Sequence, residues 1–173
     1  MKKMLLLLII FFLLAGGHAY AQNLKIGVVD LLKALNESDT GKKAKADLET
    51  LIKSKQTALD EKGKEIEKLR EELGKQSLAL SPEAKKSKEE ELERLGREYQ
   101  RTVSDSQNDV KKKESEYTSG IVKEIRAIIE KMGQEQGYTM IIENAEGIVL
   151  FSKKDLDLTE TVIKKYNESK AKK

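Results

Sequence analysis

The chain has 173 residues, with 33 Lys or Arg against 30 Asp or Glu, and it contains no cysteine and no tryptophan. Without cysteine it can form no disulfide, and it offers neither a thiol nucleophile nor a cysteine ligand for zinc. The charges nearly balance and aromatic residues make up only 5% of the chain, which argues against a nucleic-acid-binding protein.

Residues 1–21 are typical of a signal peptide. Two lysines precede an apolar run over residues 4–15, and Ala19-Tyr20-Ala21 is a cleavage site with small residues at its outer positions. The apolar run is short for a helix that spans a bilayer, although a retained membrane anchor remains the alternative. We therefore predict cleavage after Ala21 and export across a membrane in a bacterium.

Cleavage would change the chemistry that the chain can carry. It would remove two of the 33 basic side chains and none of the 30 acidic ones, and it would also remove His18, the only histidine. The mature chain would then be almost neutral and would have no imidazole general base and no His/Cys zinc site. It also has no phosphate-binding loop. We predict that it is not an enzyme and uses no cofactor and no metal.

The first element after the cleavage site is predicted to be a strand over residues 24–30, which are β-branched and alternate in polarity. Leu31, Leu32 and Leu35 follow at helical spacing and predict a short helix. Gly41 marks the start of a much longer helix.

Two long helices are predicted between Gly41 and about Lys131. Ser81-Pro82-Glu83 indicates a helix start, because serine is a good N-cap, proline suits the first helical position and an acid suits the first turn. One helix therefore ends near Leu80 and the next begins at Pro82. We expect an antiparallel hairpin with arms of about 60 Å, from 1.5 Å per residue.

Apolar residues recur in each half at the steps of three and four that are typical of a narrow coiled-coil stripe. We expect Val103 and Val110 to face Leu59 and Ile52. The predicted seam between the arms consists of Leu48, Ile52, Leu59, Ile66, Leu73, Leu92, Leu95, Val103 and Val110.

Beyond the hairpin, Gly137 is a suitable left-handed residue to end the returning helix. Residues 138–143 are predicted to form a second strand and residues 144–147 a turn. Residues 148–151 are predicted to form a third strand that is hairpinned to the second. Asp157 then predicts the N-cap of a last helix, with Glu160 completing a capping box.

These elements predict an α+β fold: a signal peptide over residues 1–21, a β head built from 22–40 and 134–173, and a helical hairpin over 41–133 inserted in the head. Such a small head buries little core and leaves its strand edges open. Several copies are therefore expected to share one head. The predicted contact residues are Ile26, Val28, Ile141, Ile148 and Leu150.

The chain resembles the Skp/OmpH family of periplasmic chaperones over residues 24–167. The order and spacing of five short segments carry the resemblance, and these are residues 25–30, 80–85, 95–101, 157–160 and 162–167. The resemblance implies a homotrimer with a small β head and three helical tentacles around a cavity. It also implies an ATP-independent holdase that binds unfolded outer-membrane proteins and prevents their aggregation.

Net charge limits which partners are expected besides unfolded outer-membrane proteins. The near-neutral mature chain leaves at most a weak contact with membrane or lipopolysaccharide, and no site for it is assigned. A structural or tethering coiled-coil protein of the cell envelope is the alternative function. Client contacts are expected to be diffuse, so no individual client-binding residue is predicted.

Overall fold

The computed structural model describes residues 24–76 and 79–171. It is mostly helical, with one pair of strands and a long helical hairpin, and the predicted α+β class is confirmed. The predicted signal peptide lies outside the described residues. In chain order the elements are β1 (Ile26–Val29), α1 (Leu31–Glu37), α2 (Asp39–Gln76), α3 (Pro82–Gln136), β2 (Met140–Glu143), a 3₁₀ turn (Lys154–Leu156) and α4 (Thr159–Ala171).

The hairpin is formed by α2 and by the part of α3 over residues 82–120, and these two segments are called the arms. The backbone N–H of Ala84 donates to the Ser81 hydroxyl at 3.2 Å, so the predicted helix start at Pro82 is confirmed. The helix α3 ends at Gly137, which has a φ of 66°, as the sequence predicted. Local capping chemistry therefore fixes both ends of the longest helix.

The two strands are parallel, and Ile26 is paired with Met140 and Val29 with Glu143. Parallel strands need a long crossover connection. Here the crossover is α1 and the whole hairpin, which is how the two distant parts of the sequence meet in one head. The second edge of β1 is occupied as well, because the N–H of Leu158 donates to the carbonyl of Val28 at 2.8 Å.

The prediction of a third strand over residues 148–151 is wrong. The N–H of Ile148 bonds back to the carbonyl of Ala145 at 3.0 Å, and Gly147 has a φ of 82°, so a tight turn directs the chain away from β2. Leu150 and Phe151 are 93% and 84% exposed. Within one copy, neither a strand edge nor an apolar surface covers this segment, and its strand propensity is therefore not expressed.

The main hydrophobic core lies at the base of the hairpin, and residues 121–136 of α3 are counted with the head because they complete it. It joins β1, α1, the last part of α3 and α4, and Ile125 and Val162 at its centre are fully buried. Its buried members are Val29, Leu31, Ala34, Ile121, Ile125, Met132, Leu158, Val162, Ile163 and Tyr166. The arms project from this core and bury little of their own surface.

Candidate functional site

The seam between the arms holds most of the predicted apolar residues. Among the described residues, three ion pairs cross it. From one pair to the next, the residue numbers fall along α2 and rise along α3, so the arms are antiparallel. These pairs are Lys88–Glu72 at 2.7 Å, Lys62–Glu98 at 3.9 Å and Lys55–Asp109 at 2.6 Å. This register brings Val103 to the level of Leu59.

Most of the predicted seam residues lie half-buried along the inner faces of the arms. Leu95 is buried, whereas the half-buried ones are Leu48, Leu59, Ile66, Leu73, Leu92, Val103 and Val110. The only buried residue of the 38-residue helix α2 is Gly41, at its start. The seam is therefore a thin line of contact along its whole length.

Ile52 departs from the predicted seam. Its side chain is 46% exposed, whereas the neighbouring Leu51 is half-buried. A strict seven-residue repeat drifts by about 20° per heptad around a straight helix, so the repeat through Ile66 and Leu59 cannot also keep Ile52 on the inner face. The contact row passes instead through Leu51 and Leu48.

Polar residues interrupt the seam. Lys55, Lys62 and Lys88 are half-buried on its flanks and Ser106 is buried within it. The hydrogen bond and positive charge of Lys88 hold the pKa of the Glu72 carboxyl below its usual range. Solvent reaches all three pairs and screens them, so each contributes little to stability.

The outer faces of the arms carry ion pairs within each helix. Lys75 of α2 pairs with Glu71 at 2.9 Å and Arg97 of α3 pairs with Glu93 at 2.7 Å, in each case one turn apart. These mixed charges keep the arms hydrated and give them no shape that one partner would fit uniquely. The arms thus present an extended and chemically uniform surface.

The base of the hairpin is held by α4. The Tyr166 hydroxyl donates to the Glu124 carboxylate of α3 at 2.5 Å, and the ammonium of Lys170 donates to the same carboxylate at 2.6 Å. The N–H of Asp39, the first residue of α2, donates to the Asn167 side chain at 3.1 Å. Burial and the bond to Glu124 raise the pKa of the Tyr166 phenol to about 12. This group of contacts is called the base clamp.

Sequence reasoning missed the base clamp, although it placed Tyr166 on a face of the last helix. The contacts join residues that are far apart in sequence, and each is an ordinary residue of a charged helix. No local pattern marks them.

The predicted capping box of the last helix is formed only in part. The Asp157 carboxylate accepts the N–H of Thr159 at 2.9 Å and also its hydroxyl. The bond from the Thr159 hydroxyl lowers the pKa of the Asp157 carboxyl. Glu160 does not complete the box, because it pairs with Lys33 of α1 at 2.7 Å. A tertiary ion pair therefore replaces the predicted local contact.

The predicted head residues fall into two groups. Val28 is buried, and Ile141 packs against the core of its own chain. Ile26, Ile148 and Leu150 are 37%, 64% and 93% exposed and are free to meet another copy. Three further apolar residues of the head are exposed and were not among the predicted contact residues, namely Leu24, Met140 and Phe151. Strand alternation identified the two faces of each strand and could not tell which face the core would cover.

Residues 24–76 and 79–171 form neither a metal site nor a membrane-spanning helix. This part of the chain contains no group of three or more His, Cys, Asp or Glu residues placed to hold a metal ion. None of its helices combines the length and apolar character that crossing a membrane requires.

Comparison with known proteins identifies a family over most of the chain. The family model described as outer membrane protein (OmpH-like) matches residues 25–166. No curated protein sequence matches the chain. Six chains of solved structures match. One is a Caulobacter crescentus CB15 protein assigned as an OmpH-like outer membrane chaperone, with 19% identity, a TM-score of 0.79 and 89% of each chain covered. At this identity the likeness supports the fold.

Proposed function

Since the chain belongs to the OmpH-like outer membrane protein family, we propose that it is a chaperone and, more specifically, an ATP-independent periplasmic holdase. Its clients are unfolded outer-membrane proteins, which it keeps from aggregating. The observation that carries this proposal is the pair of long, charged arms on a small head, a design that offers extended surface in place of a closed pocket. The matched Caulobacter protein shares this fold.

The physical properties of the arms suit such a client. An unfolded barrel strand exposes alternating apolar side chains and has a strong tendency to pair through its edges. Many weak contacts with a hydrated surface keep it apart from other strands without fixing its conformation. A tight, shape-specific site would instead have to be disassembled before the client could fold.

The same proposal includes assembly of the head. Leu150, Phe151 and Ile148 form an exposed apolar segment, and solvent-exposed apolar segments of this kind favour association. In the proposed homotrimer, this segment packs against a neighbouring copy, because no part of its own chain covers it. Residues 1–21 act in this proposal as the export signal, and residues 41–133 form the hairpin that each copy contributes to the cavity.

The test of the proposed function is suppression of aggregation. A urea-unfolded outer-membrane barrel protein is diluted into buffer without nucleotide, with and without a threefold molar excess of the mature chain, and light scattering is recorded. We expect scattering to fall at least about fivefold. Unchanged scattering would contradict the holdase and favour the envelope tether. Lysozyme at equal mass controls for crowding.

A further inference from the structure

The closed arms have almost no apolar surface to offer a client. Within the described residues of the arms, Ile52 is the only large apolar side chain that is exposed. The other leucines, isoleucines and valines are half-buried or buried along the seam. A client segment that needs apolar contacts therefore finds them at the seam, which is closed by the facing arm.

The seam buries far fewer side chains than the core of the head, and Leu95 is the only large apolar side chain of the described arms that is buried. The head contains side chains that are completely buried, such as Ile125 and Val162, and full burial of such a side chain stabilises a fold by about 1.5–3 kcal/mol. The arm formed by α2 has no buried residue after Gly41. Regions with few buried apolar contacts are the ones that open locally in native proteins.

Ion pairs across the arms add little to this contact. The least exposed of them, Lys88–Glu72, still has side-chain exposures of 27% and 38%. The cross-arm pairs Lys55–Asp109 and Lys62–Glu98 have side-chain exposures between 33% and 56%, and pairs of this kind contribute little. Gly63 and Gly96 lie within the helices, and each lowers helix stability by about 1 kcal/mol relative to alanine.

The base, in contrast, is fixed on both sides. Asn167 of α4 accepts the first N–H of α2, while Tyr166 and Lys170 bind Glu124 of α3. Ser38 is buried, and its hydroxyl accepts the N–H of Gly41 at 3.1 Å. The hairpin is therefore held firmly at the head and loosely toward its tip.

We propose that the arms separate from the tip inward, hinged at the base clamp, and that the opened seam is the surface that holds apolar segments of the client. This inference rests on the proposed holdase function. The opened α2 presents a row of leucine and isoleucine, and the opened part of α3 presents leucine and valine. Lysine and glutamate flank both rows, which suits an unfolded strand with apolar and polar residues in alternation. Closure of the seam after release removes this surface from water.

The experiment uses covalent staples in the full mature chain, which contains no cysteine of its own. The tip staple is Glu72→Cys with Lys88→Cys, joined by a short bismaleimide, and these positions are bridged across the seam by a 2.7 Å ion pair. The matched control is Lys86→Cys with Glu90→Cys, an exposed pair one turn apart on a single arm. The unlinked form of each variant is its own reference.

We expect the linked tip staple to hold about tenfold less of an unfolded barrel protein in solution than its unlinked form, and the linked control to match its reference. A linked tip staple that holds as much client as its unlinked form overturns the proposal.

Hydrogen exchange of the client-free protein tests separately whether the arms open from the tip. Amides near the tip of α2 should exchange at least about tenfold faster than those in its first turns after Gly41, and uniform protection along the arm overturns opening from the tip.

The two readouts separate this inference from the function on which it rests. If the unlinked protein leaves the client to precipitate, the holdase function and the client role of the seam both fail. The exchange gradient then still decides whether the arms open. If the unlinked protein holds the client and the staple changes nothing, the holdase function stands and the seam is not its surface.

Discussion

Replacing Tyr166 by alanine is expected to lower the free energy of unfolding by about 4 kcal/mol, the largest effect expected for truncating one side chain among the described residues. Tyr166 is 1% exposed and is the largest fully buried side chain among the described residues. Its loss leaves a cavity where α4 packs on the core. It also removes the 2.5 Å hydrogen bond to Glu124. Urea unfolding followed by far-ultraviolet circular dichroism at fixed protein concentration measures the change.

Tyr166→Phe separates the two contributions of this residue. The ring stays in the core and only the contacts of the hydroxyl, with Glu124 and Thr40, are lost, so we expect a decrease of about 1 kcal/mol. Lys170 continues to bind the same carboxylate at 2.6 Å. A Tyr166→Ala variant as stable as Tyr166→Phe would show that the ring does not help to hold α4 on the core, and the base clamp would lose its main support.

The second large effect is expected for Gly41→Ala, with a decrease in the free energy of unfolding of about 3 kcal/mol. A Cβ atom on Gly41 would lie 1.7 Å from the backbone carbonyl oxygen of Leu35. The short connection explains this closeness, because α1 and α2 are separated only by Ser38, which has an extended backbone. The obstacle is a backbone atom, so relief requires α2 to move away from α1 at the base of the arm.

Gly96→Ala is the matched control for this substitution. Gly96 also lies within a long helix, and a Cβ atom added there has no other atom within 4 Å beyond its own helix backbone and chain neighbours. Alanine should therefore stabilise the helix by up to about 1 kcal/mol, from its higher helix propensity. Equal effects of the two substitutions in the same unfolding experiment would contradict the close approach at Gly41.

Local signals in the sequence were sufficient for the hairpin. Ser81 and Pro82 specify a helix start through their own backbone chemistry, and Gly137 specifies a helix end because it readily adopts a positive φ. The structure has a helix start at Ser81-Pro82 and a helix end at Gly137. Of the predicted seam residues, Leu59, Ile66 and Leu73 are half-buried and Ile52 is exposed. A straight helix does not keep a strict seven-residue repeat on one face.

Tertiary contacts account for what the sequence could not predict. The strand predicted over residues 148–151 has high strand propensity, yet a strand also needs an edge to pair with, and one chain supplies none there. The partner of Glu160 was predicted within its own helix, but Lys33 of α1 is the partner. The base clamp joins Glu124 and Tyr166, which are 42 residues apart in sequence. No short sequence pattern predicts such a pair.

The most direct test of the holdase account is the molar mass of the purified mature protein, alone and after dilution of one urea-unfolded outer-membrane protein into it. Size-exclusion chromatography with multi-angle light scattering gives both masses. We expect a homotrimer whose mass increases by that of one client chain in a soluble complex. A trimer of unchanged mass beside a precipitated client would contradict the holdase, and a monomer would contradict the shared head.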